Sequence, residues 1–165
     1  MPNFARTMYE VKRQNRFYIM FPTDVGGAAL QASVVSSARP KWAVNDQELH
    51  FLNTRWWISG KPNWEQWTCE FYDYIDDNTL KEMFKWYKLV YDPSTTLMKV
   101  PSEYKKDVKV QMLGPGLEGD VVETYQLKGT WPVSMDPGTL DMTAEGTVIR
   151  LSVTFRYDYA TMDGA

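Results

Sequence analysis

The chain has 165 residues, room for one domain with a sizeable core. Its 18 Lys and Arg stand against 21 Asp and Glu, a formal net charge of −3, so no surplus of cations exists for gripping duplex DNA. One cysteine and one histidine exclude an internal disulfide framework, a Cys-rich metal site and any His–His metal motif. Mean hydropathy is −0.44 and the apolar runs are short, so no membrane-spanning segment is expected. The N-terminus lacks the apolar stretch of a secretory signal. The composition is that of a soluble globular protein with an unusual aromatic share, 15%.

Arg16 to Phe21 reads as a strand with Phe17, Ile19 and Phe21 on one face. Thr23 to Gly27 reads as a turn, and Ala29 to Ser36 as a second strand closing a hairpin with the first. Gln47 to Ile58 is a long aromatic strand candidate, followed by a turn cluster at Ser59 to Asn63. Gln66 to Ile75 alternates, with Trp67, Cys69, Phe71 and Ile75 on one side. The one helix is Leu80 to Tyr91: Leu80, Met83, Phe84, Tyr87, Val90 and Tyr91 share a face. Thr79 and Glu82 form a capping box, Asp76 and Asp77 suit the start of the dipole, and Pro93 stops the helix. Met98 to Pro101 is irregular. Tyr104 to Leu113 and Val121 to Trp131 are a strand and its return, joined by a turn at Gly114 to Gly119; Asp136 to Gly138 is another turn. Thr147 to Tyr159 is the clearest strand, with Ile149, Leu151, Val153, Phe155 and Tyr157 on one face. The fold class is mainly β, a small antiparallel barrel or sandwich with one α-helix.

The chemical inventory is mostly negative. Gly114 to Gly119 lacks the Gly-Lys-Ser/Thr ending of a phosphate loop and lies between strands. Cys69 falls on the apolar face of its strand and reads as a buried, inert thiol. His50 stands in an aromatic strand with no nucleophile motif beside it and reads as a surface or interface residue. Lys105, Lys106 and Lys109 read as a solvated face. No catalytic residue, cofactor or metal ligand set is expected, and the chain is not read as an enzyme.

The aromatics point elsewhere. Trp42, Trp56, Trp57, Trp64 and Trp67 crowd one short stretch. Trp56 and Trp57 are adjacent, so on a strand they face opposite sides. One could be core; the other needs a different partner, and large aromatics concentrate at interface centres. A hairpin folded over its own barrel is the alternative.

The order of motifs resembles the tail tube protein of contractile-tailed, T4-like bacteriophages. Arg13-Gln14-Asn15-Arg16-Phe17 is similar to the opening of that family's first strand, Trp67-Thr68 to its Trp-Thr strand, and Phe84-Lys85-Trp86 to the close of its helix. Pro101-Ser102-Glu103-Tyr104-Lys105-Lys106 resembles its Pro-Ala-Glu-Tyr-Lys-Lys, and Leu127 to Pro132 its Lys-Gly-Leu-Trp-Pro. Val153-Thr154 with Asp158-Tyr159 resembles the end of its last strand. The stretch from Trp42 to Trp64, the Gly114 to Gly119 turn and the last residues depart from the pattern.

The resemblance implies a single tail tube domain over 1–165 with a protruding hairpin at about 42–64. It implies a structural virion protein without cofactors, assembling into stacked hexameric rings inside a contractile sheath. The partners it implies are further copies of the chain, the sheath protein, the baseplate and tape-measure proteins, and genomic DNA passing through the lumen unheld; the places are the virion tail and, during assembly, the host cytoplasm. Trp42, His50, Trp56, Trp57 and Trp64 are expected at subunit interfaces. Glu70 and Glu123, on polar strand faces, are expected to line the lumen, where basic patches would trap DNA. A tube protein of a genome-free contractile particle and a monomeric β-barrel binding module are the alternative readings.

Overall fold

The computed structural model describes residues 11–76, 78–115 and 120–163. Its elements in order are β1 (Phe17–Met20), a 3-10 turn (Thr23–Val25), α1 (Gly27–Ser33), β2 (Val34–Ser37), β3 (Trp42–Phe51), β4 (Thr54–Trp64), β5 (Trp67–Tyr72), α2 (Thr79–Val90), β6 (Tyr91–Asp92), β7 (Leu97–Met98), α3 (Pro101–Tyr104), β8 (Lys106–Leu113), β9 (Val121–Asp136), β10 (Arg150–Arg156) and β11 (Tyr159–Asp163). The protein is mainly β with antiparallel pairing, as its alternating segments require.

The main ladder runs β1-β8-β9-β10-β5-β2, with β11 also on β9. The long strand β9 serves both halves: its first part pairs with β8 and β11, its last part with β10. The change falls near Gly129, whose φ of +65° strains any residue with a side chain and whose Cβ position would meet the Asp158 carboxylate. Two halves thus face each other across one core. Ile19, Val108, Val110 and Leu127 come from one half; Trp67, Phe71, Leu151 and Val153 come from the other. Phe21 is the hub, its ring 5.8 to 6.4 Å from those of Phe71, Trp67, Phe155 and Trp86. α2 closes the core by inserting Met83 and Trp86, and the Trp86 indole N–H donates to the Tyr104 carbonyl at 2.9 Å. Among the described residues the ladder does not close on itself, and β1 and β2 are its two ends.

Several local readings need correction. Ala29 to Ser36 is not a strand paired with the first. Gly27–Ser33 is helical and only Val34–Ser37 is extended, pairing with β5, while β1 pairs with β8. The Ala-Ala-Leu-Gln-Ala run carries helix propensity that the following valines mask. With α3 at Pro101–Tyr104, where an irregular segment and the start of a strand were expected, two short helices therefore join the expected one among the described residues. Gln47 to Ile58 is not one strand: it reverses at Leu52 and Asn53. The Ser59 to Asn63 turn is part of β4, because Gly60 sits against the Asn45 carbonyl at a β-bulge and Pro62 is tolerated in a two-stranded ladder. Asn78, not Thr79, caps α2, its side chain accepting from the Lys81 N–H at 3.0 Å; Thr79 is buried. The buried stripe of α2 uses Trp86 where Phe84 was expected. Ile75 lies beyond the end of β5 and is exposed. Residues 116–119 of the Gly114 to Gly119 turn, and Asp77, lie outside the described residues.

Candidate self-association surface

Among the described residues β3 and β4 pair only with each other. Their base is fixed: the Trp42 and Trp64 rings lie 5.9 Å apart, Trp64 lies 5.9 Å from Tyr157, and the Tyr157 hydroxyl donates to the Lys41 carbonyl. Trp64 packs against the core, whereas Trp42 is largely exposed. Beyond the base the hairpin is mostly exposed, with no core behind it among the described residues. Register then decides its faces, since directly opposed residues share a side. Leu49 opposes Trp56 and Gln47 opposes Ile58, which with Phe51 makes one face apolar. Glu48 opposes Trp57 and His50 opposes Arg55, which makes the other face charged. On that face the Arg55 Nε lies 3.1 Å and the His50 Nε2 4.0 Å from the Glu48 Oε1, ion-pair distances without a hydrogen bond. Trp56 is 65% and Trp57 60% exposed, so neither fills the subunit's own core. The apolar partners Leu49, Phe51 and Ile58 escaped the sequence reading because the reversal at Leu52 and Asn53 went unread; the Asn in an apolar run was the available signal.

Glu70 and Glu123 stand on different kinds of face. Glu70 shares the outward side of β5 with Thr68 and Tyr72, opposite Ser152 of β10, and accepts from the Ser36 hydroxyl at 3.1 Å with Arg150 at 3.8 Å. Glu123 shares the side of β9 that carries the buried Tyr125 and Leu127, so it is not on a polar face. It pairs with Lys12, lies 4.0 Å from Arg39 and accepts from the Tyr125 hydroxyl at 3.4 Å. The hydrogen bond from Lys12 holds its carboxyl below the ordinary value; partial burial opposes this, and the charges of Lys12 and Arg39 add to it. A depressed carboxylate contributes stability above its unfolded value of about 4.3, and that stability is lost as pH falls through the folded value. The gap in urea midpoint between wild type and Glu123→Gln is therefore expected to be widest near neutrality and to narrow below about pH 4. A gap independent of pH would refute the ion cluster.

The lysines are less available than a solvated face suggests. Lys105 pairs with Asp158 at 2.7 Å, and Lys106 pairs with Asp24. Cys69 is buried, and burial pushes its thiol up to about 12 against a hydrogen bond with Ser37. At ordinary pH little of it is in the reactive thiolate form. Among the described residues no group of His, Cys, Asp and Glu is placed to hold a metal ion, and no helix is long and apolar enough to cross a membrane.

No family model and no curated protein matches the sequence. Solved structures do match the fold over nearly the whole chain. A chain of the anti-feeding prophage baseplate aligns with TM-score 0.71 and 14% identity, covering 95% of this chain and 98% of that one. The chain has the fold of that baseplate chain. A chain of the sheath/tube terminator of an extracellular contractile injection system in the extended state aligns with TM-score 0.71 and 13% identity, covering 96% and 99%. One from the tube-terminating cap of the anti-feeding prophage gives 0.70 and 16%, covering 98% and 99%. At these identities the likeness is one of fold. These three structures come from an anti-feeding prophage and an extracellular contractile injection system, and none of them is named as a T4-like bacteriophage.

Proposed function

We propose that this chain is a structural, non-enzymatic tube subunit of a contractile injection particle. Six copies form a ring, rings stack into a tube, and the tube lies inside a sheath and meets a baseplate. The observation that carries this reading is the hairpin of β3 and β4: a long arm with Leu49, Phe51, Trp56 and Ile58 exposed on one face, on a fold shared with such assemblies. An unpartnered two-stranded hairpin is marginal in water, and a neighbouring copy would supply what its apolar face lacks. Trp42 and His50 lie on the same arm and are assigned to that interface with Trp56 and Trp57, while Trp64 anchors its base. Negative-stain imaging of the purified protein tests the reading: rings or tubes are expected, and monodisperse monomers at high concentration would sink it.

In the phage form of this reading genomic DNA passes through the lumen, and the resemblance of Pro101 to Lys106 and Leu127 to Pro132 to the phage family supports it; a genome-free particle is the second reading, supported by the likeness to the anti-feeding prophage and the extracellular contractile injection system. Six copies at −3 give a ring about 18 net negative charges, a balance suited to a conduit that does not grip DNA, though the balance does not place those charges on the lumen wall. Glu70, on an outward polar sheet face, is assigned to the lumen. Glu123 is held by Lys12 and Arg39 and is the weaker candidate. Glu70→Lys is expected to leave tube assembly intact and slow DNA ejection from assembled particles. Unchanged ejection kinetics would remove Glu70 from the lumen.

A further inference from the structure

β9 and β10 are joined by a loop, residues 137–149, without regular secondary structure. Every residue from Asp136 to Arg150 is exposed. Irregular connections longer than about 12 residues are uncommon in compact domains, and those that occur are mostly functional or linkers. This one carries large apolar side chains into solvent: Leu140 is 84% exposed and Met142 fully so. It has two acids, Asp141 and Glu145, and no cation.

Towards the opposite end of β9 lies a groove of about 900 Å³ between the two ends of the ladder, β1 and β2. Phe17, Val110 and Met112 supply its apolar lining, and Lys12, Arg13 and Arg39 its charge. Glu123 is the acid that offsets these cations in part. None of the loop's residues lines the groove of its own chain.

We propose that the 137–149 loop of one copy seats in the Lys12–Arg39 groove of the next. The acids of the loop meet the cationic rim, and Leu140 and Met142 cover the apolar lining. Pairing of two loops sets acid against acid, and pairing of two grooves sets cation against cation, so like surfaces do not dock. A contact between unlike surfaces at opposite ends of β9 repeats head to tail, which builds an open stack rather than a closed dimer. The proposal rests on the self-assembly reading and names the surfaces that would carry its axial step.

Cross-linking tests it directly. Leu140→Cys and Ser36→Cys place thiols on two exposed positions, one on the loop and one at the groove, and Cys69 is too buried to interfere. Under mild oxidation the double variant is expected to give a ladder beyond the dimer, and each single variant nothing beyond it. A charge arm reads the same contact. Arg13→Glu is chosen because Lys12 and Arg39 hold Glu123, and Glu145→Lys because Asp141 is tied to Thr143. Each alone is expected to lower the sedimenting fraction about tenfold or more, and the pair together to restore it. Far-UV circular dichroism checks that the variants fold. Wild-type tubes with no ladder, with the two single charge variants sedimenting as wild type, would overturn the docking and leave the tube reading standing. Occupation of the groove by residues 1–10 of the same chain would have that outcome. Monomers throughout, with no ladder, would overturn both.

Discussion

Changing Trp56 and Trp57 together to alanine is expected to leave the subunit folded and to abolish its assembly. Both rings are mostly exposed, and neither touches the cluster around Phe21. Exposed substitutions away from buried features usually shift stability within about 0.5 kcal/mol. The cross-strand pairs lost, Trp56 with Leu49 and Trp57 with Glu48, are worth about 0.2 to 1 kcal/mol each. At an interface the scale differs. A tryptophan in a desolvated pocket commonly accounts for about 2 to 4 kcal/mol per contact, which is roughly 30- to 1,000-fold in affinity. Every copy in a repeating assembly makes the contact, so the loss recurs at each step. Sedimentation reads the assembly, and the urea midpoint reads the subunit. An unchanged sedimenting fraction, or a collapsed midpoint, would show that the hairpin is not an intersubunit arm.

What the sequence disclosed depended on whether a core lay behind each segment. β5 and β10 were legible because Trp67, Cys69 and Phe71, then Leu151, Val153, Phe155 and Tyr157, alternate with polar residues, and burial of one face enforces that alternation. α2 was legible as a helix but only partly as a face. The 3.6-residue period admits adjacent stripes, and the bond from the Trp86 indole to the Tyr104 carbonyl, a tertiary fact, selects the stripe holding Trp86. The hairpin was least legible. Most of β3 and β4 is exposed on both sides, so no pattern marked the reversal at Leu52, and Gly60 and Pro62 imitated a turn. The same gap hid the apolar face of Leu49, Phe51 and Ile58. Glu123 went to the wrong kind of face because a charged residue in a strand reads as outward unless its counter-ions are known. Lys12 and Arg39, one before β1 and one after β2, come to it only through the fold.

Phe21→Ala is expected to do the reverse of the tryptophan pair: to destabilise the subunit severely whether or not it assembles. Phe21 follows β1, is 6% exposed, and brings its ring near four others, so it joins β5, β10 and α2 in one cluster. Removing a buried phenylalanine costs about 3 to 5 kcal/mol, the transfer term plus the cavity left behind. Here the cavity walls are Trp67, Phe71, Trp86 and Phe155, held by two layers, and the indoles of Trp67 and Trp86 are tied by hydrogen bonds to Ala38 and Tyr104. Such walls relax little, which places the cost at the upper end of that range. Against a typical total of about 5 to 15 kcal/mol, a cost of about 4 to 5 kcal/mol raises the unfolded-to-folded ratio by roughly 10³ to 5 × 10³. Phe21→Leu keeps much of the volume and is expected to fall between the two in urea midpoint. An alanine variant with a wild-type midpoint would mean that the two halves of the sheet are not held together through Phe21. The contrast between the two substitutions separates aromatic residues that build the subunit from those that join one subunit to the next.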